Sequence, residues 1–182
     1  MLVLASASPR RQELIRLISE DIVIAPSEVD ETVPENISAE SAPEFLAVKK
    51  AAAVAKDFPH DTVIGSDTSV IVDGLILGKP ADREDAKRML TLLSGKVHKV
   101  ITGCAVFKNG RSISFSEVTE VRFHRLTEVE IEEYLDRGEF KDKAGAYGIQ
   151  GYASLLIEGI NGDYFNVVGL PVSRLARLLK RF

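Results

Sequence analysis

Short apolar runs alternate with stripes of helical period along the first half of this chain, and hairpin patterns dominate the second. Leu2-Val3-Leu4 is an apolar run suited to a strand buried on both faces. Ser8 fits an N-cap and Pro9 the first helical position, with Leu14, Leu17 and Ile18 following at helical spacing. Ile22-Val23-Ile24 is a short strand running into a polar, acidic loop, Ser27 to Glu31. Ser41 with Glu44 reads as a capping box, supported by Pro43, for a helix that carries Leu46, Ala47, Ala53 and Val54 on one arc. Lys50 lies in the middle of that arc.

Thr62 to Val72 is strongly β at both ends, yet its centre holds Gly65 and Asp67, which strands disfavour. Asp73-Gly74 predicts a hairpin turn into Leu75-Ile76-Leu77. Asp82 caps a helix with Ala86, Met89, Leu90 and Leu93 on its core face, and Gly95 ends it. Val97 to Phe107 is a long strand, turned by Asn109-Gly110 into an alternating strand with Ile113, Phe115, Val121 and Phe123 on one side. Thr127 and Glu130 form a second capping box, for a helix closed by Gly138. Lys141 to Gly151 has neither period. A third hairpin is expected from Leu155 to Val168 around Asn161-Gly162, then a final helix begun by Pro171. These elements predict an α/β fold with a mixed β-sheet flanked by helices, crossovers early and hairpins later, in one domain spanning 1–182.

Composition narrows the class. The chain has 182 residues, 45% hydrophobic and 27% charged, which fits one ordinary globular domain. A net charge of -4 without a basic stripe argues against coating nucleic acid. Cys104 stands alone, so no internal disulfide can form, as expected of a cytoplasmic protein. The N-terminal apolar run is too short for a signal peptide, and no segment approaches the ~20 apolar residues of a membrane helix.

Charge placement adds chemistry. Arg10 and Arg11 fall in the first turn of a helix, where the dipole disfavours cations by about 0.3–1 kcal/mol. They are either solvated surface residues or ligands of an anion such as a phosphate. Lys50 either snorkels to water or is directed at a bound anion, whereas Lys49 shares a side with Lys56. Several sites are excluded. There is no P-loop, Gly145 to Gly151 lacks the dinucleotide fingerprint, and no Gly-x-Ser-x-Gly elbow occurs. His60, His98 and His124 lack metal-ligand spacing and read as ordinary surface or sheet residues. Arg10, Arg11, Lys50, Lys79 and the acids Glu31 and Asp67 remain. Hard carboxylate oxygens of this kind suit Mg²⁺ or Mn²⁺ held together with substrate phosphates, hence phosphoryl or nucleotidyl chemistry on a polyphosphate.

Five blocks carry a resemblance: Ser6-Ala7-Ser8-Pro9-Arg10-Arg11-Gln12-Glu13-Leu14, Gly65-Ser66-Asp67-Thr68, Gly78-Lys79-Pro80, Leu93-Ser94-Gly95 and Lys143 to Gly151. In order and spacing, over essentially the whole chain, they resemble the Maf family of nucleoside triphosphate pyrophosphatases, once described as septum-formation inhibitors. Gln150, with Arg10 and Thr68, resembles the branch acting on dTTP and UTP. The resemblance implies an elongated fold with a nucleotide cleft, like inosine triphosphate pyrophosphatases, and hydrolysis by water attack at the α-phosphorus. It implies Asp67 as the catalytic carboxylate, grouped with Lys50 and Glu31. Glu31 and Asp67 would hold the divalent metal, and Ser8, Arg11, Lys50 and Lys79 would contact phosphate. The nucleoside triphosphate is then the partner, with no nucleic acid and no membrane; a homodimer is left open. The competing reading is a non-catalytic nucleotide-binding regulator of cell division. An aspartyl phosphatase fits poorly, because the paired Asp-x-Asp is absent at Asp67.

Overall fold

The computed structural model describes residues Met1–Phe182. In chain order the elements are β1 (Leu2–Leu4), α1 (Pro9–Ile15), β2 (Ile22–Ile24), α2 (Ala42–Ala55), β3 (Thr62–Val72) and β4 (Leu75–Leu77). They continue with α3 (Arg83–Leu93), β5 (Val97–Lys108), β6 (Arg111–Phe123), α4 (Glu128–Asp136), β7 (Ile157–Asn161), α5 (Tyr164–Val168) and α6 (Val172–Leu179). Two short 3-10 turns, Ala144–Ala146 and Gly151–Leu155, fill the aperiodic stretch before β7. The seven strands form one mixed sheet in the order β2-β1-β3-β5-β6-β7, with β4 beside β3. β1 pairs in parallel with β2 and β3, whereas β3–β4 and β6–β7 are antiparallel. No helix is long and apolar enough to cross a membrane.

The chain divides into two compact units, the first comprising Met1–Thr68, Thr102–Glu117 and Gly169–Phe182. Its core is built from small residues: Val3, Ala5, Ala47, Ala51, Val54, Val63 and Ala105. Three expectations change here. α1 ends at Ile15, so Leu14 and Ile15 are buried and Leu17 is 69% exposed. Ala51 rather than Ala53 completes the buried stripe of α2, with Leu46, Ala47, Lys50 and Val54. The Ser41–Glu44 capping box does not form, and Ser41 itself has helical angles. The Glu44 carboxylate instead accepts from Ser114 Oγ at 2.6 Å and Ser116 Oγ at 2.9 Å. Two hydroxyls on β6 outcompete the single backbone N–H that a capping box offers.

The second unit comprises Ser69–Ile101 and Val118–Val168. Its core gathers larger side chains, among them Leu90, Leu93, Val121, Phe123, Tyr134, Leu135 and Tyr147. The Asp82 cap and the complete Thr127–Glu130 capping box are present as the sequence predicts. The third hairpin is not, because β7 pairs with β6 and α5 takes the place of its returning arm. Asp163 Oδ1 caps that turn by accepting from Phe165 N at 2.8 Å. The buried Asn166 ties it down, its Nδ2 donating to Val100 O at 3.0 Å and Thr119 Oγ1 at 2.9 Å. Ile113, in the first unit, is 41% exposed although it shares the alternation of the buried Phe115.

His98 is the deepest ionisable ring in the second unit, 1% exposed. Its Nε2 and the Tyr147 hydroxyl share a 2.6 Å hydrogen bond, and both rings pack edge-on against Phe123. Burial pushes the imidazole down to about 4 and the Tyr147 phenol above its ordinary value, so both are neutral at pH 7. The unfolded chain protonates this histidine below about 6.5, so stability is full above that pH and is lost as pH falls toward about 4. Urea unfolding is expected to show the wild type losing about 2 kcal/mol more than His98→Gln between pH 7 and pH 5. Equal losses would contradict the buried neutral imidazole.

Candidate active site

Two glycines set the geometry. α2 lies so close to β3 that a Cβ at Gly65 would overlap the Ala47 carbonyl and sit 2.8 Å from Ala51 Cβ. A Cβ at Gly103, on β5, would overlap the backbone of Pro43 and Glu44 at the start of the same helix. Glycine alone lets backbones approach this far. Asp67 shares the strand face of Gly65, two residues on, while Lys50 lies between Ala47 and Ala51 on the buried stripe of α2. Lys50 Nζ therefore meets Asp67 Oδ1 at 2.7 Å. It also meets Glu31 Oε1, from the loop after β2, at 2.9 Å.

The ammonium does not snorkel. Side-chain exposure is 10% for Lys50, 14% for Asp67 and 60% for Glu31, so the triad grades from interior to solvent. A lysine this deep is tolerated only because both carboxylates meet it. Removing one partner of such a buried pair typically costs about 3–5 kcal/mol.

A second cluster is built on the N-terminus of α1. Ser8 is the N-cap residue, but its side chain caps nothing; its N–H donates to Ser6 Oγ at 3.3 Å. Arg11 is not a solvated surface residue. Its Nε donates to Gly169 O at 2.8 Å, its Nη2 to Thr68 Oγ1 at 2.8 Å, and its Nη1 to Ser6 Oγ at 3.3 Å. Thr68 in turn shares a 2.9 Å hydrogen bond with the buried Thr102. Burial lowers the Arg11 pKa, and the charge of Asp67 opposes that shift. Three guanidinium N–H groups are spent on the protein, leaving two of the usual five. Arg10 is half-buried on the same turn.

Ser8, Arg10, Arg11, Glu31, Lys50, Asp67 and Thr68 thus share the first compact unit. Lys79 and Gln150 belong to the second, where both are exposed. A backbone hydrogen bond from Gly145 N to Gly78 O, 3.0 Å long, ties their two loops together. Ser6, Thr102 and Gly169 join the site without having been among the residues the sequence assigns a role. Gly169, with φ 130, precedes Leu170-Pro171, and a glycine so placed is a loop signal that could have been followed. Thr102, inside a strand, left no such trace. No group of three or more His, Cys, Asp or Glu side chains assembles into a metal cage. Glu31 and Asp67 converge on one cation, the Lys50 ammonium.

The first unit thus holds a buried lysine between two carboxylates and, at the start of α1, an arginine anchored by the protein itself. The chain belongs to the Maf family: the model described as Maf-like protein matches residues 1–182. It is 50% identical over 180 residues to a dTTP/UTP pyrophosphatase of Pyrococcus abyssi, covering 99% of this chain and 95% of the relative. It is 52% identical over 181 residues to a dTTP/UTP pyrophosphatase of Geobacillus sp., covering 99% and 97%. Among solved structures, the Ham1 protein of Staphylococcus aureus is similar in fold, with a TM-score of 0.59, 14% identity, and coverage of 99% and 98%.

The packing at Gly65 is open to direct test. Gly65→Ala must push α2 off β3, and overpacking of this kind costs typically about 1–3 kcal/mol. Gly159→Ala, on β7, meets nothing within 4 Å and serves as the control. Urea unfolding should register the first cost, whereas the control should stay within about 0.5 kcal/mol of wild type. Equal stabilities for the two variants would contradict the close approach.

Proposed function

We propose that this chain hydrolyses dTTP and UTP to the monophosphate and pyrophosphate. The observation that carries the reading is the Lys50 ammonium held between Asp67 and Glu31, in the same unit as the anchored Arg11. The names of relatives at about half identity over nearly the full length support the same substrates.

In this mechanism a water molecule attacks the α-phosphorus. The new P–O bond forms as the bond to the pyrophosphate oxygen breaks, and the proton of the water passes to the Asp67 carboxylate. Lys50 has three donors, and turning one of them toward phosphate relaxes its hold on the carboxylates. Arg11 cannot swing, so its unspent donors offer a pre-positioned charge for developing negative charge on the phosphates. Ser8 and Lys79 contribute further phosphate contacts. Gln150, with Arg10 and Thr68, reads the pyrimidine: a carboxamide offers the donor and the acceptor that uracil and thymine require.

A divalent cation fits the donor set, since Glu31 and Asp67 present hard oxygens that already share one cation. Bound there as Mg²⁺ or Mn²⁺, together with substrate oxygens, it would neutralise charge on the phosphates. The same proposal reads 1–182 as one catalytic domain located in the cytoplasm, consistent with a family match over the whole length.

Pyrophosphate release from dTTP and UTP in the presence of Mg²⁺ tests the reading. Wild type is expected to turn both over, and Asp67→Asn to do so at least about 100-fold more slowly, the range of lost general-base catalysis. Nucleotide binding without release of pyrophosphate would instead support a regulator.

A further inference from the structure

The segment that presents Gln150 is clamped on both sides. On one side Tyr134 Oη donates to Ala146 O at 3.1 Å, and the Tyr147 hydroxyl shares its 2.6 Å bond with His98 Nε2. Gly145 N donates to Gly78 O at 3.0 Å, and a Cβ at Gly145 would press on the Val70 side chain. On the other side the Glu139 carboxylate accepts from Tyr152 N at 3.0 Å, and Ser154 Oγ donates to Gly151 O at 2.6 Å. Gly148-Ile149-Gln150 spans the gap between the two clamps.

The clamp holds a backbone that would otherwise relax. Gly145 and Ala146 both have left-handed angles, φ 68 and φ 64. An alanine in that region is strained and persists only where its surroundings over-determine it, which is common at ligand clamps. Tyr147 follows directly, 5% exposed, with its ring wedged edge-on between His98 and Phe123 at centroid distances of 5.4 and 4.9 Å. A buried phenol needs a partner, and β5, a long sheet strand, supplies it through His98. The phenol lies three residues before Gln150, and the Gly145–Gly78 bond fastens the residue preceding Lys79.

We infer that His98 and Tyr147 are positioning residues for nucleotide selectivity: their hydrogen bond fixes the 145–151 loop and so the carboxamide of Gln150. Neither touches the substrate; they act through the backbone between Tyr147 and Gln150. This rests on the reading of Gln150 as the base contact, whereas the anchoring itself does not.

The test compares wild type, Tyr147→Phe, His98→Gln and His98→Leu in two measurements. In the first, amide hydrogen exchange is followed across 145–152 without nucleotide. Tyr147→Phe and His98→Leu are expected to exchange faster at 148–150, whereas His98→Gln, which can still bond the phenol, retains most of the protection. Unchanged exchange in Tyr147→Phe and His98→Leu overturns the anchor whatever the substrate. In the second, steady-state hydrolysis of dTTP and GTP is compared, with inorganic tripolyphosphate as a competing inhibitor. Tyr147→Phe and His98→Leu are expected to lower the dTTP-to-GTP efficiency ratio by about tenfold, through the KM for dTTP, with tripolyphosphate inhibition unchanged. An unchanged ratio beside a lowered Tm, or equal weakening of both nucleotides and tripolyphosphate, makes the bond merely structural and overturns the proposal. If wild type fails to prefer dTTP while the exchange result holds, the reading of Gln150 falls and the anchor stands.

Discussion

A lysine whose side chain is only 10% exposed, on the core face of a helix, is the constraint around which the first unit is arranged. Lys50 could be buried as an apolar residue is buried only if its charge were met, and Asp67 and Glu31 meet it. That requirement fixes the helix. To bring Nζ within 2.7 Å of a carboxylate on the strand beneath, α2 must lie almost on the backbone of β3. Gly65 permits this at the middle of the helix, and Gly103 lets the start of the helix come equally close to β5. The small-residue core of Ala5, Ala47, Ala51 and Ala105 follows from the same closeness, because larger side chains would lift the helix away.

The arrangement is expensive as architecture and apt as chemistry. A buried ion pair seldom stabilises more than a well-packed apolar substitute would, so its retention is better explained by what the charges can do. The pair keeps a cation beside the carboxylate proposed to take the proton, and it keeps that carboxylate from drifting. Arg11 shows the same trade. Its guanidinium is spent on a carbonyl and two hydroxyls rather than on an acid, so it stays charged without being neutralised by a direct salt bridge. In the proposed mechanism a phosphate at the start of α1 would meet a guanidinium whose position is already fixed, leaving little reorganisation for the reaction itself.

Much of the fold was legible because local chemistry decided it. Ser8-Pro9 opens α1, Asp73-Gly74 and Asn109-Gly110 turn hairpins with left-handed residues, and Thr127 with Glu130 closes a capping box that no distant group disturbs. The misses share a cause, which is competition from residues remote in sequence. Glu44 abandons Ser41 for Ser114 and Ser116 on β6, and Asn166 finds Val100 and Thr119, so a helical turn replaces an expected strand. At the candidate site the residue types and the odd Gly65 and Asp67 inside a strand could be read directly. The bonds of Arg11 could not, since Gly169 lies far along the chain, Thr102 looks like an ordinary strand residue, and nothing local ties Thr68 to Arg11. Nor could the two-acid environment of Lys50, because a helical stripe reveals burial but not what waits across the interface.

In the proposed reaction this constellation directs water to the α-phosphorus. Hydrolysis of dTTP in ¹⁸O-labelled water, with products analysed by ³¹P NMR or mass spectrometry, tests it most directly. The label is expected in the thymidine monophosphate, with the pyrophosphate unlabelled. Label in the pyrophosphate, or release of orthophosphate in its place, would contradict it, because attack would then fall on the β- or γ-phosphorus.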